Sequence, residues 1–382
     1  MSAERMLSAL VAFRSVVGTR NGALVDYIRD YLASYDIGSA VISGPEGDRF
    51  NLFATIGPKH VPGYILSGHV DVVPANETGW ACDPFRLRNV EDRLVGRGAV
   101  DMKGFVAAVL SAVPALAALE LKQPIHIALS YDEEAGCRGV PHLISKLPTL
   151  CAPPLGCIVG EPSGLKPVLR HKGKAAIRIR AQGVAGHSSR PDLGQNAIHA
   201  LLPALKAVAD EAAIQEERGP RDPHFAPPYS TLQIGVVSGG EALNIIPSHA
   251  EADIEARAVP GLDPLGLLQG ALEEVEASEA LAAEIIASYP ALSLDEDHPL
   301  ATLASELSGH ALVEAVSYGT EAGLFQAAGV PSIVCGPGDI SRAHKPEEYI
   351  TVDELNEARA MVLRLGRRLA AGATSEDVAQ AF

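Results

Sequence analysis

The sequence predicts an α/β fold, a sheet flanked by helices, with a smaller α+β domain inserted into it. Short apolar runs that end in polar residues alternate with helix-like segments, as in sheets covered on both faces. A central stretch changes to the two-residue rhythm of strands with one wet face. At 382 residues the chain also exceeds the usual size of one hydrophobic core, so two domains are expected.

The N-terminal MSAERMLSALVAFRSVV places Met6, Leu10, Phe13 and Val17 at helical spacing and carries Arg14 in its apolar stretch. It reads as an amphipathic helix rather than a signal peptide. Strands are expected in NLFATIG (51–57), YILSGHVDVV (64–73), IHIALSYDEE (125–134), GCIVGEP (156–162) and PSIVCGPG (331–338), with helices over 104–120, 303–309 and 320–328. The longest apolar run, 105–119, is too short to span a bilayer and reads as a buried core helix. In the middle, KAAIRIRAQG (174–183), STLQIGVVSGG (230–240) and HAEADIEARAV (249–259) alternate as strands, 196–211 and 264–283 read as helices, and the Pro-rich 217–230 reads as a loop. Strand, helix, strand, strand, helix is most of a split β-α-β-β-α-β unit. The expected division is a catalytic domain in two parts, 1–172 and 286–382, around an inserted domain at 173–285.

A net charge of −16 argues against nucleic-acid or anionic-membrane partners, which need clustered Lys and Arg, and favours a small-molecule partner. The five cysteines form no C-x-x-C pair, and their odd count and irregular spacing describe no disulfide framework. A reducing cytoplasm is expected.

Ligands of such sheets sit at the carboxyl ends of strands, where this chain concentrates acidic and imidazole groups. SGHVDVVP sets His69 and Asp71 two apart on one strand face, so that Asp71 accepts from one imidazole nitrogen while the other binds a metal. On that dipeptide alone a structural histidine is the favoured reading. Taken singly, Asp101 in GRGAVDMKG reads first as a helix cap, Glu161 in EPSG fits a surface turn as well as a ligand, and His344 in AHKPEEY fits a solvated loop. Together, two His and three carboxylates, with one carboxylate free to bridge, form the donor set that two divalent cations require. That set supplies the counter-charge for YDEE, where Glu134 binds metal, Glu133 stays uncoordinated as a base, and Asp132 reads as a polar edge residue.

SGHVDVVP, GRGAVDMKGF, DEEAGCRG, GEPSG, GVAGHSS, ALNIIP and GPGDISRAHKPEEY follow the order and spacing of one metallopeptidase family over essentially the whole chain. The chain resembles the family that includes acetylornithine deacetylase, succinyl-diaminopimelate desuccinylase and aminoacylase. DMKGF, YGTEAGLFQ and AHKPEEYI are most similar to the acetylornithine deacetylases. Ser163 and Ala99 stand where the family favours Thr and a hydroxyl residue. The resemblance implies a zinc-peptidase-like mixed sheet with an inserted lid and dimerisation domain. It implies that Asp101 bridges two zinc ions, one held also by His69 and Glu161 and the other by Glu134 and His344, with cobalt or manganese accepted by the same ligands. Glu133 would be general base and acid, Asp71 the orienter of His69, and His187 a donor to the scissile carbonyl in the partner subunit's site. Asn244 would lie near that carbonyl, Arg257 would take the substrate's α-carboxylate, and Glu321 the side-chain ammonium of acetylornithine; the competing readings are an exposed strand residue for Arg257 and a helix N-terminal residue favoured by the dipole for Glu321. The Asp101–Met102 peptide is expected to be cis. The implied function is metal-dependent hydrolysis of N-acyl amino acids in a cytoplasmic homodimer, with acetylornithine cleaved to ornithine and acetate for arginine biosynthesis. Desuccinylase, aminoacylase and dipeptidase activities share that metal core, and a non-enzymatic scaffold dimer is the alternative from another class.

Overall fold

The computed structural model describes residues 1–371; positions 372–382 of the expected last segment lie outside the described residues. The chain divides into two compact units, one of Met1–Arg170, Leu292–Glu314 and the described residues from Thr320 onward, the other of His171–Ala291 and Ala315–Gly319.

The first unit is built on a six-stranded mixed sheet in the order Ser39–Ser43, Phe50–Ile56, Ile125–Ser130, Tyr64–His69, Gly156–Pro162, Ser332–Gly336. The last four strands run parallel, and the first two join them antiparallel. Parallel strands are covered on both faces and read as continuous apolar runs; every residue of Ile125–Ser130 and Gly156–Pro162 is buried. Helices Ala3–Ala12, Gly22–Ala33, Lys103–Ala117, Pro299–Ser308 and Val352–Ala371 close the same core.

Two glycines set how near the helix Lys103–Ala117 comes to the sheet. A Cβ on Gly160 would collide with the Phe105 ring, and one on Gly68 would lie 2.8 Å from Met102 Cε. Their bare backbones let the helix, and the turn that opens it, lie against the strands that carry His69 and Glu161. Because the four strands are parallel, their carboxyl ends share one edge. His69, the Tyr131–Glu134 stretch, Glu161 and the segment leading to His344 all leave the sheet there.

The second unit has an antiparallel sheet in the order Thr231–Gly239, His249–Ala258, Gly173–Gln182, Leu281–Tyr289, with helices Ala197–Arg218 and Gln269–Glu276. Burial alternates residue by residue along Gly173–Gln182 and His249–Ala258. One face builds an Ala- and Ile-rich core with the helices. The other carries cross-strand pairs, Arg178 with Asp253 at 2.6 Å and Arg180 with Glu284 at 2.9 Å.

Four expectations need correction. The first helix ends at Ala12 rather than running on to Val17, because Ser15 and Val17 pair instead with Val72: the Val72 N–H donates to the Ser15 carbonyl and the Val17 N–H to the Val72 carbonyl. The helix expected over 264–283 is the shorter Gln269–Glu276, and LAAEIIASY forms a strand because its backbone pairs with Gly173–Gln182, from Leu281 opposite Ala181 to Tyr289 opposite Lys174. The expected boundary at 285 falls inside that strand. Finally, the 64–73 strand stops at His69, so Asp71 lies past its end. No helix among the described residues is long and apolar enough to cross a membrane.

Candidate metal centre

All five expected ligands lie in the first unit and converge. His69 is the last residue of its strand, and its Nε2 is 3.0 Å from Asp101 Oδ1 and 3.7 Å from Glu161 Oε1. His344 Nε2 is 3.2 Å from Asp101 Oδ2 and 3.1 Å from the Glu134 carboxylate. Asp101 therefore turns one oxygen to each imidazole. It makes no helix cap, since Met102 occupies that position without a side-chain bond, and the Asp101–Met102 peptide is cis. His69 is 1% exposed at its side chain and His344 51%, so one imidazole forms the floor and the other the rim.

The stretch after Ser130 disposes of its three carboxylates in three ways. Asp132 is not an edge residue: it is 1% exposed, pairs with Arg49 and accepts the Gly18 N–H at 2.7 Å. Glu133 accepts a bond from the Cys137 thiol at 3.2 Å, and Glu134 faces His344. The main-chain N–H groups of Glu133 and Glu134 both donate to the Asp71 carboxylate, at 3.1 Å each. Asp71 meets His69 differently from the expected carboxylate bond. His69 Nδ1 lies 2.9 Å from the Asp71 carbonyl oxygen and 3.5 Å from the carboxylate. Asp71 thus ties the His69 strand end to the Glu133–Glu134 turn, because its side chain bonds the turn while its carbonyl meets the imidazole.

Electrostatics follow from crowding. Burial and neighbouring carboxylates push Glu133, Glu134 and Glu161 above the usual carboxylate range. Burial opposes a charge on His69, yet Asp101 and Asp71 hold its pKa well above the ordinary value; bonds to Asp101 and Glu134 likewise raise His344. These are the signs of a site with surplus negative charge. Donor atoms of His69, Asp101 and Glu134 lie within 4.8 Å of one another, as do those of His69, Glu133 and Glu161. The oxygen and nitrogen donors therefore fit hard or borderline divalent cations, and distance alone admits Glu133 to that set.

The remaining expected residues are distributed. His187 and Asn244 lie together in the second unit: His187 pairs with Ile245 in a short ribbon, and the Ser188 N–H donates to the Asn244 carbonyl at 3.0 Å. The Ser189 N–H donates to His187 Nδ1 at 3.2 Å. Arg257, on the strand His249–Ala258, is bonded to Glu255 at 2.7 Å. Glu321 stands at the N-terminal end of the helix Ala322–Ala327, the position of its competing reading and not that of an ammonium partner. It is 1% exposed in the first unit, and its two oxygens accept the hydroxyls of Ser67 at 2.6 Å and Ser130 at 2.7 Å. A carboxylate so enclosed does not present itself to a substrate ammonium; it ties together the ends of two strands. Sequence reading also passed over Arg97 and Glu348, buried charges beside the site whose only signal was their place within the motifs, and Arg49, half-buried against Asp132.

Similarity to known proteins agrees with this geometry. The profile of Peptidase family M20/M25/M40 matches residues 65–368. The chain is 32% identical over 352 residues to an acetylornithine deacetylase of Photorhabdus laumondii, covering 90% of each chain. It is 35% identical over 348 residues to that of Vibrio campbellii, covering 87% of this chain and 89% of the relative. In fold it is similar to an M20 family metallo-carboxypeptidase from Sulfolobus solfataricus, with a TM-score of 0.77 at 18% identity over 97% of this chain and 100% of the other. The chain therefore belongs to peptidase family M20/M25/M40, as a metal-dependent hydrolase.

Proposed function

We propose that this chain hydrolyses the amide bond of N-acyl amino acids with two divalent cations, zinc in the first instance, and that acetylornithine is the leading candidate substrate. The observation that carries the two-cation reading is Asp101, whose two oxygens face two different imidazoles. His69 and Glu161 complete one set of ligands with Asp101, and Glu134 and His344 the other. Cations held there supply Lewis acidity, lowering the pKa of water toward about 7 from about 15.7 and polarising a carbonyl.

The chain's own groups do the rest. Glu133 takes a proton from water and gives it to the departing amine; burial among carboxylates raises its proton affinity, which suits both tasks. The Ser189 N–H donates to His187 Nδ1, which leaves Nε2 as the ring atom to donate to a developing oxyanion. In this reading that donation crosses a homodimer formed through the inserted domain, with Asn244 beside the reacting carbonyl and Arg257 on the α-carboxylate. An exposed edge strand with Val236 at 53% and Val237 at 54%, and Leu202 at 52% on the helix beside it, supports such a contact. A cytoplasmic location, with arginine biosynthesis as the process, completes the reading; the five free cysteines support it.

The inward pairing of Glu321 favours a second reading within the same chemistry, in which neutral N-acetyl amino acids are cleaved as readily as acetylornithine. A panel of N-acyl amino acids assayed by release of free amine separates the two. Activity is expected only after zinc is restored to metal-stripped protein, and no amine from any substrate at any metal loading would overturn the proposal.

Glu133→Gln should lower turnover roughly 100- to 10,000-fold, the usual range for a general acid–base group, while metal content stays at the wild-type level. Glu134→Ala should lose one metal equivalent. Substantial activity in Glu133→Gln would show the two adjacent glutamates to be assigned the wrong way round.

His187→Ala should cost about 100- to 1,000-fold in kcat, the scale of one oxyanion donor. Mixed dimers of His187→Ala with Glu133→Ala subunits should regain part of the activity, because one of their two sites keeps both residues. Verified mixed dimers that stay inactive would exclude donation across subunits.

Glu321→Ala should lower the melting temperature and reduce kcat/KM by the same factor for acetylornithine and acetylmethionine. Removing the acceptor of two buried hydroxyls costs roughly 1 to 3 kcal/mol for each group left unpaired. A loss confined to acetylornithine would return Glu321 to the role of substrate partner.

A further inference from the structure

Glu348 stands four residues after His344 and is 1% exposed. Its Oε1 accepts the main-chain N–H groups of Val100 at 3.0 Å and Asp101 at 3.2 Å, and its Oε2 accepts the Gly98 N–H at 3.0 Å and Arg97 Nη1 at 2.8 Å. Its own carbonyl accepts the Gly96 N–H at 2.9 Å. Four donors, one of them charged, use the whole acceptor capacity of one buried carboxylate. Those donors have one thing in common: they line the turn that delivers Asp101.

The other end of this link is the His344 loop. His344 and Glu347 hold left-handed backbone, with φ of 59° and 58°, which residues other than glycine keep where their surroundings impose it. Glu347 accepts the Ala81 N–H at 2.9 Å and Arg88 at 2.5 Å, so the loop is pinned by one glutamate on each side. Arg97 adds to the link, since its guanidinium reaches the carbonyls of Pro74 at 3.2 Å and Lys345 at 3.4 Å. By contrast, His69 and Glu161 sit on strands of the central sheet and need no such clamp.

We propose that Glu348 is a positioning residue that locks the Asp101 turn to the His344 loop, and so supports chiefly the cation held by Asp101, Glu134 and His344. The proposal rests on the two-cation reading. Residues that orient ligands typically change metal affinity about 10- to 100-fold when replaced, and the effect here falls chiefly on one of two binding steps. Glu348→Gln keeps the shape but turns an amide NH2 toward main-chain donors. Glu348→Asp keeps the charge but shortens the arm, so that it no longer spans from Gly98 to Asp101.

Zn²⁺ alone is titrated into metal-stripped full-length protein by calorimetry, well below the melting temperature of each variant. Wild type is expected to bind two equivalents. Glu348→Gln should bind one equivalent about 10- to 100-fold more weakly and the other with a clearly smaller loss, with Glu348→Asp intermediate; if Glu348→Gln does not fold, Glu348→Asp carries the comparison. A purely structural glutamate would lower the melting temperature and leave both binding steps in place. Variants with the wild-type isotherm, or with both steps weakened equally, overturn the proposal while leaving the two-cation reading intact. A wild-type protein that binds no zinc overturns that reading itself.

Discussion

Mutual repulsion among Asp71, Asp101, Glu133, Glu134 and Glu161, gathered with only two imidazoles at one edge of a sheet, is the constraint on which the rest of the structure depends. Burial, and beside it the neighbouring carboxylates, disfavours the ionised forms of Glu133, Glu134 and Glu161. His69 and His344 are drawn toward protonation by the same field. Such a cluster persists where cations or protons neutralise it. Oxygen and nitrogen donors converging from separate elements favour the cations, as in di-metal hydrolases generally.

Everything near the cluster serves to keep these groups in place. The parallel strands deliver His69, the Tyr131–Glu134 stretch and Glu161 to a common edge. Gly68 and Gly160 let the long helix lie close enough for its opening turn to carry Asp101 between the imidazoles. Asp71 holds the Glu133–Glu134 turn by its main chain, and Glu321 ties Ser67 to Ser130 one step deeper. Arg49 pairs with Asp132 and gives that carboxylate a counter-charge of its own.

The strand ends and the donor set were legible because each is local: an apolar run closing on His, Asp or Glu announces itself within ten residues, and parallel topology makes the ends meet. What lay hidden depended on partners far along the chain. Asp132 and Arg49 are 83 positions apart, and Glu321 is 254 positions from Ser67; no local pattern marks either pairing. The strand Leu281–Tyr289 was hidden for another reason. Its alanines and glutamate favour a helix, and pairing with Gly173–Gln182 overrides that preference. Asp71 shows a third limit, since the strand ends at His69 and the two-residue face rule does not reach past it.

The account turns on Asp101 lying between two cations, and anomalous scattering from crystals of the zinc-loaded protein, collected on either side of the zinc absorption edge, tests this most directly. Two difference peaks are expected, one on each side of the Asp101 carboxylate, the first touching His69 and Glu161 and the second Glu134 and His344. A single peak, or a peak ligated by Glu133, would contradict it.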